Sequence, residues 1–156
     1  MTHTLRFLQV FTLGTWLGGI LYLSFAVAPA AFGTLGSRDQ AGALVGLILA
    51  RLHIFGMIFG VIYLLASVAL DKFLGGFVRP AALCVILMLA LTAYSNWRVT
   101  PRMASLRAQM VSVDRTPRDN PLRVEFGRLH RISVRLESGV LLLGLAALFL
   151  TVRNHR

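Results

Sequence analysis

The sequence predicts an all-α, integral membrane four-helix bundle with a short Arg-rich cytoplasmic helical extension between its third and fourth helices. Two observations predict it. Apolar residues make up 56% of the 156 and charged residues 14%, against about 45–50% and about 25% in soluble domains. The apolar excess is also gathered into four runs, each near the roughly 20 residues that a helix needs to cross a bilayer core. The whole chain, 1–156, therefore reads as a single transmembrane domain, with helices at about 5–32, 39–70, 77–111 and 121–152 and a loop at 112–120.

The first run, Leu5 to Phe32, contains Ala26-Val27-Ala28, a small-residue triplet like a secretory cleavage site. The run is too long for a signal h-region, and Pro29 would sit just after the cut, so a retained helix is expected. In the second run, Arg51 and His53 lie inside the apolar pattern and limit the membrane-buried part to Leu52 to Leu70. The third, Phe77 to Trp97, continues as a polar helix from Pro101 to Met110. Asp114, Pro117, Asp119 and Asn120 then supply turn signals, and Pro121 suits the first turn of the last helix. That helix, apolar from Ile132 to Val152, reaches spanning length only with Arg135 and Glu137 at headgroup level.

Orientation follows from the arginines, because positively charged loops stay on the cytoplasmic side. Arg38 and the eight from Arg98 through Arg131 fall on one side, against Arg6, Lys72, Arg79, Arg153 and Arg156 on the other. Both termini are therefore expected outside, in a multi-pass protein of the cell membrane. The formal charge of +10 fits attraction to anionic lipid headgroups, at about 1 kcal/mol per basic residue near the surface. Nucleic acid is not an expected partner, since no aromatic interleaving or binding signature accompanies the arginines. A homo-oligomer or a larger membrane complex is compatible with the pattern. Lone Cys84 lies in an apolar helix and supports neither a disulfide nor a paired thiolate site.

Glycine spacing predicts how the first two helices meet. Gly14 with Gly18, and Gly56 with Gly60, form G-x-x-x-G pairs that let backbones approach closely, and an antiparallel hairpin brings the two pairs to one depth. His53 shares the face of Gly56 and Gly60 by helical spacing, while Arg51 points away. In the last helix His130, Ser133 and Glu137 share one face and Arg128, Arg131 and Arg135 another. Thr92, Ser95 and Asn96 fall at spacings of three and four on the third helix. His53, His130, Ser133, Glu137 and Asn96 thus form a candidate polar cluster at membrane depth, where polar groups are costly and mark function. Four readings of it stay open: a structural anchor, a transition-metal site on His53 and His130, axial ligation of haem by the same two histidines, and a polar pathway for a small solute. No H-E-x-x-H, C-x-x-C, G-x-S-x-G or phosphate-cradling loop is present, so no catalytic residue is assigned.

Trp16-Leu17-Gly18-Gly19, Ala28-Pro29 with Phe32, Pro101-Arg102-Met103, and Phe126 followed by Arg128-Leu129-His130 together resemble the transmembrane-protein-205-like family, also known as domain of unknown function 4149. The order and spacing of these motifs, more than any one of them, carry the resemblance. It implies four helices over the whole chain and family-pattern positions at Trp16, Gly18, Pro29, Pro101, Arg102 and His130. It also implies small membrane proteins of undefined biochemistry, suspected of handling metal complexes. The Trp-Leu-Gly-Gly start is similar to the copper-resistance protein D group and to the haem-binding membrane protoporphyrinogen oxidase, although the clustered histidines and methionines of a copper permease are missing. The expected function is non-enzymatic transport or metal handling, or a subunit role in a membrane assembly. The alternative is a haem-binding membrane oxidoreductase.

Overall fold

Four long helices make up most of the computed structural model, which describes residues 2–71, 76, 78–110 and 112–153. They are α1 (Thr2–Thr34), α2 (Arg38–Asp71), α3 (Pro80–Gln109) and α4 (Pro121–Arg153), all apolar enough to cross a membrane. No strand occurs among the described residues. Phe77 and Val111, the expected ends of the third helix, lie outside them, as do Lys72, His155 and Arg156.

Successive helices run antiparallel around a ring. α1 packs along α2 and α3 along α4, while thinner contacts join α2 to α3 and α1 to α4. Leu13, Trp16, Leu17, Val85, Met88 and Val140 fill the centre, whereas Phe7, Phe25, Leu65, Leu142 and Phe149 point outward. Apolar side chains on both faces of every helix are what lipid allows. Association there depends on close packing more than on expulsion of water.

Trp16 shows how that packing is achieved, and where the expected glycine contact differs. A β-carbon at Gly60 would fall 3.1 Å from Trp16 Cζ3, and one at Gly56 would land inside the indole. The two glycines of α2 therefore form a notch for the Trp16 ring. Gly14 and Gly18 sit two residues to either side of Trp16, about 200° around α1. They consequently face outward, with open space beyond them.

Two π-turns interrupt the helices, Leu23–Val27 in α1 and Ser95–Val99 in α3. The amides of Ala28 and Thr100 reach back five residues, to Leu23 O and Ser95 O. Each turn precedes a proline, Pro29 or Pro101, whose ring collides with the carbonyl four residues earlier and lacks a donor for it. Widening the helix by one residue relieves the collision. Tyr22, Phe25, Tyr94 and Trp97 project outward from these turns, as aromatic residues do at a membrane interface.

Beyond this aromatic level the helices outrun the bilayer. α2, with 34 residues, is about 51 Å long against a hydrocarbon core of about 30 Å. The surplus forms an Arg-rich cap. Arg107, on the α3 extension, donates to Gly42 O at 3.2 Å and lies over the Phe126 ring, 5.3 Å from its centroid. Arg102 pairs with Glu125 through two hydrogen bonds of 3.0 and 3.2 Å. Asp39, in the first turn of α2, accepts from Ser112 Oγ and the Val113 amide.

Candidate functional site

His53 and Glu137 meet across the bundle axis, from α2 and α4, at the level of the Ser95–Val99 turn, with His53 Nε2 3.2 Å from Glu137 Oε2. The imidazole is 1% exposed and the carboxylate side chain 17%. Helix register sets what surrounds them. Gly60 is level with Leu89 and Gly144 with Met88. Two turns further toward the cap, α2 has reached His53, α4 Glu137, and the antiparallel α3 Ser95 and Asn96. Thr92, Ser95 and Ser133 are buried there and Asn96 is half-buried. Glycine at 19 lets the Leu52 side chain cross over α1, since a β-carbon there would lie 2.7 Å from Leu52 Cδ1.

The layer is polar and incompletely satisfied. With Nε2–H donating to the carboxylate, a neutral His53 presents Nδ1 as a bare acceptor. That atom has no partner among the described residues, and neither does Thr92 Oγ1 or Ser95 Oγ. Each unpaired buried polar group costs about 1–3 kcal/mol. A fold retaining three of them at one depth has a use for them, or stores strain.

A second polar layer near the opposite end of the bundle behaves differently. Gln9 Nε2 donates to Ser67 Oγ at 2.7 Å, and Ser67 donates in turn to Tyr63 O at 2.9 Å. Thr151 Oγ1 donates to Ala147 O at 2.7 Å, so at 2.6 Å from Tyr63 it accepts the phenolic proton. Every hydroxyl in that chain is committed, and the layer stitches α1, α2 and α4 together. Between the layers lie about ten residues, or about 15 Å of helix, packed by Trp16, Leu17, Met88 and their neighbours.

Of the residues expected to cluster, His53 and Glu137 are hydrogen-bonded, with Ser133 buried one turn from Glu137 on α4 and Asn96 half-buried on α3. His130 shares the face of Glu137 but lies two turns further into the cap, about 10 Å along α4, and is exposed. The two histidines do not converge. Paired axial ligation of haem, or a metal held between them, does not fit this arrangement within one chain. No group of three or more metal-ligating side chains occurs among the described residues. Glu137 pairs with His53, while the nearby basic residues Arg98 and Arg135 are exposed. The Gln9–Ser67–Tyr63–Thr151 layer was not anticipated. Its signal was four polar residues inside otherwise apolar runs, without a histidine or carboxylate to draw attention to them.

Four spanning helices around a buried polar layer define a polytopic membrane protein, a multi-pass bundle whose biochemistry the geometry has to suggest. The pattern of one protein family, Domain of unknown function (DUF4149), matches residues 11–112, and the chain belongs to that family. The match includes Trp16, His53 and both π-turn prolines, and stops short of Glu137. No curated protein and no solved structure matches the chain.

Proposed function

We propose that this protein is a non-enzymatic transporter in which the His53–Glu137 pair carries a proton and the adjacent hydroxyls receive a small polar solute. The observation behind this reading is the unsatisfied layer itself: His53 Nδ1, Thr92 Oγ1 and Ser95 Oγ lack partners at the depth of a buried acid–base pair. Histidine titrates closest to neutral pH of all side chains, and intramembrane acid–histidine chains serve as proton relays. Glu137 beside unpaired lone pairs favours a cationic or hydrogen-donating solute. The arginine bias supports a cell-membrane location with the cap in the cytoplasm, against anionic headgroups, and both termini outside.

Reconstitution into liposomes containing a pH-sensitive dye tests the proposal. Under an imposed potassium diffusion potential the wild-type protein is expected to move protons, and His53→Ala or Glu137→Gln to reduce the flux about tenfold or more. Equal flux from wild type and both variants refutes a role for the pair. Elemental analysis of the same preparations provides the opposing outcome. A stoichiometric transition metal that disappears in a His53→Ala/His130→Ala double variant would replace transport with metal handling.

A further inference from the structure

The two halves of the chain repeat each other. Tyr22, Phe25, Val27 and Pro29 spell Y-x-x-F-x-V-x-P, and Tyr94, Trp97, Val99 and Pro101 spell Y-x-x-W-x-V-x-P, a shift of 72 residues as given by the two prolines. The π-turns Leu23–Val27 and Ser95–Val99 obey the same shift. So does burial: Leu13, Trp16 and Ile20 map onto Val85, Met88 and Thr92, all at 1% exposure or less. For the second helix of each pair the shift is 84, the spacing of Gly60 and Gly144, since the chain from Pro101 to Gly144 is 12 residues longer than that from Pro29 to Gly60. That shift carries Ser67 onto Thr151, both buried, and His53 onto Glu137.

Contacts repeat as well as positions. A β-carbon at Gly60 would meet Leu89 Cδ2 at 2.7 Å and Trp16 Cζ3 at 3.1 Å, and one at Gly144 would run into Leu17 and meet Met88 Cε at 3.0 Å. Leu17 corresponds to Leu89 and Trp16 to Met88. Each glycine is therefore closed over by a leucine from the other hairpin and a large side chain from its own. The close α1–α2 and α3–α4 pairings, with thinner α2–α3 and α1–α4 seams, complete the symmetry.

We infer that the protein is a duplicated two-helix hairpin, α1–α2 and α3–α4, whose halves are related by a pseudo-twofold axis along the bundle and part along the two seams closed by Leu17 on Gly144 and Leu89 on Gly60. His53 and Glu137 are equivalent positions and meet across that axis, so one ancestral site has become an acid facing a base. Parallel repeats of this kind place transport sites at the repeat interface. The two Leu–Gly seams and the Trp16–Met88 pair form the gate between the polar layers. The use of the seams as a gate rests on the transport reading above; the two-half construction does not.

Cysteine pairs on a Cys84→Ser background test this. Leu17→Cys with Gly144→Cys, and Leu89→Cys with Gly60→Cys, lock one seam each. Gly19→Cys with Leu52→Cys, where a β-carbon at 19 lies 2.7 Å from Leu52 Cδ1, locks a single hairpin internally. The readout is reaction of a thiol introduced by Val140→Cys, at a position 1% exposed in the core, with a water-soluble maleimide in liposomes. Labelling is expected in the unlocked protein, to fall about tenfold or more with either seam lock, to persist with the internal lock, and to return on reduction. No labelling of the unlocked protein, or equal suppression by all three locks, overturns the inference. Proton flux measured in parallel separates the two claims, because seam-dependent labelling without flux preserves the two-half mechanism and discards the proton-linked function.

Discussion

His53 has one nitrogen on Glu137 and one without a partner, and that asymmetry makes the layer testable residue by residue. Replacing Glu137 by Ala leaves the imidazole buried with neither nitrogen paired. The expected cost is about 2 kcal/mol, the penalty for leaving a buried donor unsatisfied, read as a fall in the detergent melting temperature. Thr92→Val should act in the opposite direction. It removes a buried hydroxyl that has no partner while nearly conserving shape, and is expected to stabilise by about 1 kcal/mol while reducing transport. A loss of stability on Thr92→Val would mean that the hydroxyl is satisfied in the membrane and belongs to the scaffold. The sequence put His53, Glu137 and the α3 hydroxyls on inward faces by spacing alone. It did not separate Glu137 from His130, because seven residues return a helix to nearly the same face, and only the position of the surrounding helices leaves one enclosed and the other exposed.

At the scale of elements, two G-x-x-x-G pairs with identical spacing have opposite environments. Gly56 lies under the Trp16 indole and Gly14 faces open space. Gly56→Ala is therefore expected to cost about 1–3 kcal/mol through overpacking, whereas Gly14→Ala should stabilise by about 0.5–1 kcal/mol through helix propensity. Thermal melts of the two variants side by side check this, and equal effects would contradict the packing of α1 on α2. Spacing identifies a smooth face without saying what it faces; a large neighbour such as Trp16 decides the rotation of the helix. The expected helices ran unbroken through Pro29 and Pro101, and the structure puts a π-turn before each proline without ending the helix, because widening by one residue relieves the proline clash.

For the whole molecule, the arrangement in two equivalent hairpins explains why the acid–base pair joins diagonal helices, and it makes the seam-lock experiment the decisive measurement at this scale. Composition and run length by themselves determined the four spans and the Arg-rich cap, since a bilayer demands about 20 apolar residues per crossing and hydropathy is additive along the chain. The same sequence also held the Y-x-x-aromatic-x-V-x-P repeat, too short to stand out until the π-turns and the Leu–Gly contacts fell at matching positions. Which polar groups became paired was decided by tertiary structure alone. Gln9, Tyr63, Ser67 and Thr151 close on one another while His53, Thr92 and Ser95 keep unpaired atoms. Hydrogen-bond satisfaction depends on sub-ångström placement of side chains from different helices, and no periodicity within a single helix carries that information.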